Sequence, residues 1–328
     1  MAEPRTIPIQ ILDAAPAGLS ENPAGSSNQA PEGSPVSGPA PRANPMIWEG
    51  EEAATGVFIG GENPLDALDL LGVPGMVLPQ VPRLPEDFSP SDRLRAWLDE
   101  LMEALQCGSE DSVPRRLALA ELDEVERQAI GEILGEGEVT AELTLDGTAF
   151  RVVESVLAGV WRISAEGEAG WVEVACVPTL VLEAALSLET APFPVPEGGA
   201  GVMNAPAVLV EISERAAHYH EHGPAESAAT APNHVLNFTL LPMSEADHAL
   251  LTSVLGRAQL ELRSGGFGDC KVMATRYRHV WAVQYVNAMG HVILDTVEVG
   301  DVPAAVAAAR EDMEDSAGRL QEILEAYL

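Results

Sequence analysis

One short segment of this chain is written twice, and that limits what the chain can fold into. Val-Glu-Val-Ala-Cys-Val-Pro at 172–178 returns as Val-Glu-Val-Gly-Asp-Val-Pro at 297–303, with five of seven positions identical. Landmarks upstream keep nearly the same spacing: Leu134-Gly135 matches Leu255-Gly256, and Trp161 matches Trp281. A repeat has to build the same supersecondary unit each time it occurs.

The periodicity inside each copy says what that unit is. Asp123 with Glu126, and Ser244 with Asp247, have the spacing of a helix start in which side chains satisfy free N–H groups. The stripe Val125, Ala129, Ile130, Ile133 and Leu134 returns as Ala246, Leu250, Leu251, Val254 and Leu255. Gly135 and Gly137 close the first helix. Val139, Ala141, Leu143 and Leu145 then alternate as a half-buried strand does, and Ala258, Leu260 and Leu262 follow suit. Asp146-Gly147 is a hairpin signal, replaced in the second copy by Ser264-Gly265-Gly266-Phe267-Gly268. One long strand through Trp161 and Ile163, and its counterpart through Met273, Tyr277, Trp281, Val283 and Tyr285, come next. Third strands at Trp171 to Ala175 and His291 to Val299 lead into closing helices, the second carrying Val306, Met313, Ala317, Leu320, Leu324 and Tyr327 on one side.

The expected fold class is α+β: two tandem repeats, each a three-stranded antiparallel meander with flanking helices packed on one face, preceded by a flexible amino-terminal arm. Residues 1–85 are the arm, rich in Pro, Gly and Ala, with Thr6 to Leu12 as an edge strand or docking peptide and Pro64 to Leu71 as a short helix. Residues 86–190 form the first repeat, led by a helix over Ser89 to Gln106 with Leu94, Trp97, Leu98, Leu101 and Leu105 on one face. Residues 191–233 are a linker containing a helix from Asn204 to Tyr219, and 234–328 form the second repeat.

Charge narrows the partners. Against 51 acidic residues stand 18 basic ones, a formal net charge of −33. Phosphates need Lys and Arg for counterion release, so nucleic acid and anionic membrane surfaces are disfavoured, whereas a basic segment would be attracted. Cys107, Cys176 and Cys270 are an odd number without close pairing, and no signal peptide or membrane-spanning run is legible. The chain reads as cytoplasmic.

Candidate chemistry is sparse. His218, His220 and His222 surround Glu221, a spacing that converges on a metal only along a strand. Gly265-Gly266-Phe267-Gly268 joins two strands and lacks the Gly-Lys-Ser/Thr ending of a phosphate loop. Cys270 has only Lys271 and His279 nearby to lower its thiol pKa. Trp161 and Trp281 read as core anchors, while Glu173 and Glu298, each between valines, fit a structural ion pair and a contact surface equally. No nucleophile, base and oxyanion group assemble, and no cofactor fingerprint appears. The chain reads as non-enzymatic and without a cofactor.

The second repeat resembles the carboxy-terminal region of the HupH/HyaF-type hydrogenase expression/formation proteins. The resemblance is carried by Leu-Pro-Met-Ser-Glu-Ala-Asp (241–247), Ser-Gly-Gly-Phe-Gly-Asp-Cys (264–270), Arg-His-Val-Trp (278–281), Gln-Tyr-Val-Asn (284–287), Asp-Thr-Val-Glu-Val (295–299) and Glu-Asp-Met-Glu-Asp-Ser-Ala-Gly-Arg-Leu (311–320). Leu-Gly-Glu-Gly-Glu-Val (134–139), Gly-Val-Trp-Arg (159–162) and Gly-Val-Met-Asn (201–204) extend it upstream, so it runs from about residue 88 to the end. The resemblance implies a maturation chaperone for an uptake [NiFe] hydrogenase. Such a factor binds the iron–sulfur small subunit precursor and shields it, from oxygen in related systems, before assembly and twin-arginine export. It also implies a thioredoxin-like accessory protein as a further partner. Gly135, Glu136, Gly137, Phe267, Gly268, Asp269 and Glu298 match the family's motifs and are the partner-binding candidates; Phe267 stands where Tyr is common, which weakens any hydroxyl role. Two other readings remain: an iron–sulfur or metal carrier using Cys270 with the His218–His222 cluster, and a scaffold of the hydrogenase assembly complex.

Overall fold

A computed structural model describes Leu84 and residues 88–111, 114–223, 233–265 and 269–327. The arm expected over 1–85, apart from Leu84, lies outside the described residues, as do Gly266, Phe267 and Gly268. Among the described residues the fold is α+β, with six helices and a single ten-stranded antiparallel sheet.

The amino-terminal half runs α1 (Asp92–Asp111), β1 (Arg115–Ala118), α2 (Glu124–Leu134), β2 (Val139–Leu145), β3 (Thr148–Glu154), β4 (Val160–Ala165), β5 (Trp171–Val174) and α3 (Thr179–Leu186). The carboxy-terminal half runs α4 (Ala205–His222), β6 (His234–Asn237), α5 (Glu245–Leu255), β7 (Leu260–Ser264), β8 (Asp269–Ala274), β9 (Val280–Val286) and β10 (Val292–Val299), then a 3-10 turn (Ala304–Val306) and α6 (Arg310–Tyr327). From the centre of the sheet the order is β2-β3-β4-β5-β1 one way and β7-β8-β9-β10-β6 the other. The halves meet where β2 pairs with β7, Ala141 opposite Leu262.

Each meander has four strands, not the expected three. The long second strand breaks in two, once at 155–159 and again at 275–279. Ser155 Oγ donates to the Leu157 carbonyl and accepts the Leu157 N–H; Thr275 Oγ1 does the same with Tyr277. These side chains close the turn locally. Gly159 (φ +76°) and His279 (φ +63°) then take the left-handed conformation that reverses the chain.

The helices also occupy both faces instead of one. Successive strand residues point to opposite faces, so Val160 packs with α1, α2 and α6 while Trp161 packs with α3. A second helical core sets α4 and α5 over Met273, Val280, Ala282, Val297 and Leu236. On the opposite face, α3 and the 3-10 turn cover the centre. Val306, expected on the last helix, belongs to that turn.

Buried carboxylates lock the helix pairs. Both capping boxes form, at Asp123/Glu126 and Ser244/Asp247. Their third residues reach further. Glu126 accepts from Ser91 Oγ (2.5 Å) and Arg93 Nη2 (2.8 Å) beside the start of α1. Asp247, fully buried, accepts the Met203, Asn204 and Ala205 N–H groups at the start of α4. Burial alone would raise the Asp247 pKa, but these N–H groups and Ser244 hold it well below the usual carboxylate range.

Each half sends its tail to the other. After α3, Glu189 exchanges backbone bonds with Arg276 and Arg278, and Phe193 stacks on Tyr277 at 4.2 Å. After the 3-10 turn, the Ala308 N–H bonds to the Cys176 carbonyl, and Ser316 Oγ bonds to the Ala158 carbonyl at 3.2 Å.

Candidate functional site

The candidate residues do not form one site. Gly135 (φ +56°) ends α2, and a Cβ on Gly137 would lie 2.3 Å from the Ser155 carbonyl, so backbone geometry accounts for both glycines. Glu136 pairs with Arg162 at 3.4 Å. The Gly265 N–H donates to the Glu138 carbonyl (3.0 Å), bringing the start of the β7–β8 connection beside this loop. Asp269 opens β8 opposite Val286. Glu298 sits apart from them, opposite Trp281 and accepting from Asn233 Nδ2 at 3.1 Å. Phe267 and Gly268 lie outside the described residues.

Glu173 and Glu298, equivalent in sequence, differ in environment. Glu173 is buried, accepts the Thr179 N–H (2.5 Å) and Oγ1 (2.6 Å) at the start of α3, and faces Arg116 at 3.8 Å. Its role is structural. Glu298 keeps partial exposure.

Burial perturbs several titratable groups. Burial pushes the Cys270 thiol up to about 11 against a Tyr285 hydrogen bond, and Glu298 adds to the rise. Such a thiol remains protonated near neutral pH and makes a poor nucleophile. His218 and His222 stack at 4.4 Å, whereas His220 lies 6.0 Å from His279. Burial lowers the His279 pKa. Among the described residues no three His, Cys, Asp or Glu side chains gather as metal ligands. His279 lies in the turn beyond one end of β8 and Cys270 at the strand's other end, so the two are not brought together. Glu154 is perturbed too: burial pushes it up to about 7, with the Gly159 N–H opposing and Glu138 and Asp312 adding to the rise.

Two features suit binding. One is an open cleft of about 890 Å3 along β2, β3 and β7, lined by Glu142, Arg151, Arg257, Glu261 and Arg263. Glu261 pairs with both Arg257 and Arg263 there, so part of its charge is internally matched. The other, which sequence reasoning did not single out, is the outer edge of the carboxy-terminal half. Val235 on β6 is 50% exposed, Ile293 on β10 59%, Met289 76% and Leu240 80%. Residues 233–256 and 279–309, which build this edge, contain no Lys or Arg but do contain Glu245, Glu298 and Asp301; the flanking α4 adds Glu211, Glu214 and Arg215.

The model of the HupH hydrogenase expression protein C-terminal conserved region matches residues 202–327, the part that carries this edge. The "Hydrogenase expression/formation protein HupH" of Rhizobium leguminosarum bv. viciae is 38% identical over 288 residues, covering 85% of this chain and 96% of that protein. This chain belongs to the HupH family of hydrogenase expression/formation proteins. The "Hydrogenase-1 operon protein HyaF" of Escherichia coli is 31% identical, covering 73% of this chain and 82% of that protein. A solved "Hydrogenase expression protein HupH" from Thiobacillus denitrificans is 26% identical, covering 38% of this chain and 94% of that one, with a TM-score of 0.31. Among the described residues no helix is long and apolar enough to cross a membrane.

Proposed function

We propose that this HupH-family protein serves hydrogenase formation as a non-enzymatic chaperone. It binds the iron–sulfur small subunit precursor through its carboxy-terminal half and holds it, shielded from oxygen, until assembly and export. One observation carries the reading. Of the ten large hydrophobic side chains exposed among the described residues, Met203, Val210, Val235, Leu240, Leu241, Met289 and Ile293 fall within the family-matched 202–327. Clustered apolar surface commonly marks an interaction site, and Val235, Leu240 and Leu241 come from one seven-residue stretch. The protonated Cys270 thiol, at the opposite end of β8 from His279, supports binding over thiol catalysis. The acidic surface suits a client with basic segments.

The same proposal treats the two halves as copies of one unit, exchanging tails about a pseudo-twofold axis. The mirrored strand order and the paired Ser155 and Thr275 turns support it. Capture from cells expressing the hydrogenase operon, performed under oxygen, tests the role. The expected result is recovery of the unprocessed small subunit, with a thioredoxin-like accessory protein as a possible co-purifying partner. Recovery of no hydrogenase subunit would contradict it.

A further inference from the structure

We infer that the outer edge of β6 receives an added β-strand from the partner. That strand is an extended segment with apolar residues at alternate positions and lysine or arginine flanking them. The inference rests on the proposed role only for the identity of the client; the surface is argued from its own geometry.

β6 is the last strand in the order, and among the described residues nothing pairs with its outer side. It covers Thr296–Val299 of β10, and the Phe238 N–H carries the bonding on to the Asp295 carbonyl. An edge of this kind offers unpaired N–H and C=O groups at the spacing another strand needs. Its side chains already have the required character. Val235 continues the cross-strand row Glu298–Trp281 on one face, and Leu236 continues Val297–Ala282 on the other. An incoming strand with alternating apolar residues extends the half-exposed row beside Val235.

Charge sets the flanks. Sheet edges are ordinarily blunted with charged side chains, cationic ones above all. β6 itself has no Lys or Arg, its His234 is held by Glu211 at 2.8 Å, and residues 233–256 and 279–309 around it contain no Lys or Arg. A strand flanked by arginine or lysine is attracted; one flanked by glutamate is repelled.

The probe is a short synthetic peptide of alternating valine and threonine between arginine pairs. Two controls accompany it, one N-methylated at mid-strand and one with glutamates replacing the arginines. With the full chain, the probe is expected to slow amide exchange within residues 234–237 by about tenfold. Both controls should bind about tenfold more weakly. Val235→Lys, at an exposed position, should weaken probe binding about tenfold while leaving the melting temperature unchanged. Equal binding of the N-methylated control, protection confined to residues elsewhere, or edge amides already protected in the free chain would each overturn the inference. Capture of the small subunit precursor separates this inference from the role. If Val235→Lys loses the probe yet still captures precursor, the edge is not the holding site and the role stands. If the probe binds at the edge but no variant captures precursor, the role falls and the strand-accepting edge remains.

Discussion

β1 and β6 close the two ends of one sheet. Each is four residues long and antiparallel to the last strand of its half. β1 covers all of β5, and its Arg115 and Arg116 stand at the margin. Arg116 lies over the Trp171 ring at 4.4 Å and faces the buried Glu173, so the cation is fixed where it guards the strand. β6 covers half of β10 and presents Val235. The cores behind the strands also differ: α6 returns from the carboxy-terminal half to seat Met313 and Leu320 against α1 and α2, whereas α4 is buttressed by Phe193. Among the described residues, similar scaffolds thus carry one blunted edge and one open edge. What distinguishes them is a handful of side chains, not topology.

Equivalent positions should therefore respond unequally, and the largest difference concerns the carboxylate clamps. Asp247→Ala leaves several N–H groups at the start of α4 without their acceptor, at an expected cost of about 3–5 kcal/mol in denaturant unfolding. Glu126→Ala should cost less, because its partners beyond its own capping box are a hydroxyl and a half-exposed guanidinium. Equal losses would undo that contrast.

Glu154 gives the next largest effect, and it depends on pH. Its folded pKa is raised from 4.5 to about 7, so the neutral form is favoured in the folded chain. Its contribution is full below pH 4.5 and is lost as pH rises through about 7, a span worth about 3 kcal/mol. Glu154→Gln, which retains an acceptor for the Gly159 N–H, should stabilise the protein at pH 8 and change little at pH 4. A stability difference independent of pH would contradict the assignment.

The two tryptophans make a finer test. Trp161 Nε1 donates to the Ala175 carbonyl at 2.8 Å, while the buried Trp281 Nε1 has no partner among the described residues. Trp161→Phe should cost about 1 kcal/mol more than Trp281→Phe by thermal or chemical unfolding. The smallest stability effect belongs to the edge itself: Val235→Lys, which copies the guard of β1, should shift stability by no more than about 0.5 kcal/mol.

Local signals in the sequence were legible where a few neighbouring residues decide the outcome. The capping residues Asp123, Glu126, Ser244 and Asp247 mark their helices, and Leu94, Trp97, Leu98, Leu101 and Leu105 all turn inward along α1. The turns at 155–159 and 275–279 were hidden because apolar alternation runs on either side of them; the hydroxyls of Ser155 and Thr275 were the available signal. His279 masked its turn further by taking a positive φ without being glycine. The β2–β7 join and the roles of β1 and β6 as edges depend on pairings between residues far apart in the chain, which no local period encodes. The helix-capping role of Glu173 was likewise invisible, since its partner Thr179 lies beyond a strand end.

The most direct test of the account places a photo-crosslinking amino acid at position 235 on β6 or at position 116 on β1 in cells making the hydrogenase. The account predicts a crosslink to the unprocessed small subunit from position 235 and none from position 116. A crosslink from position 116, or from neither while the precursor is still captured, would contradict it.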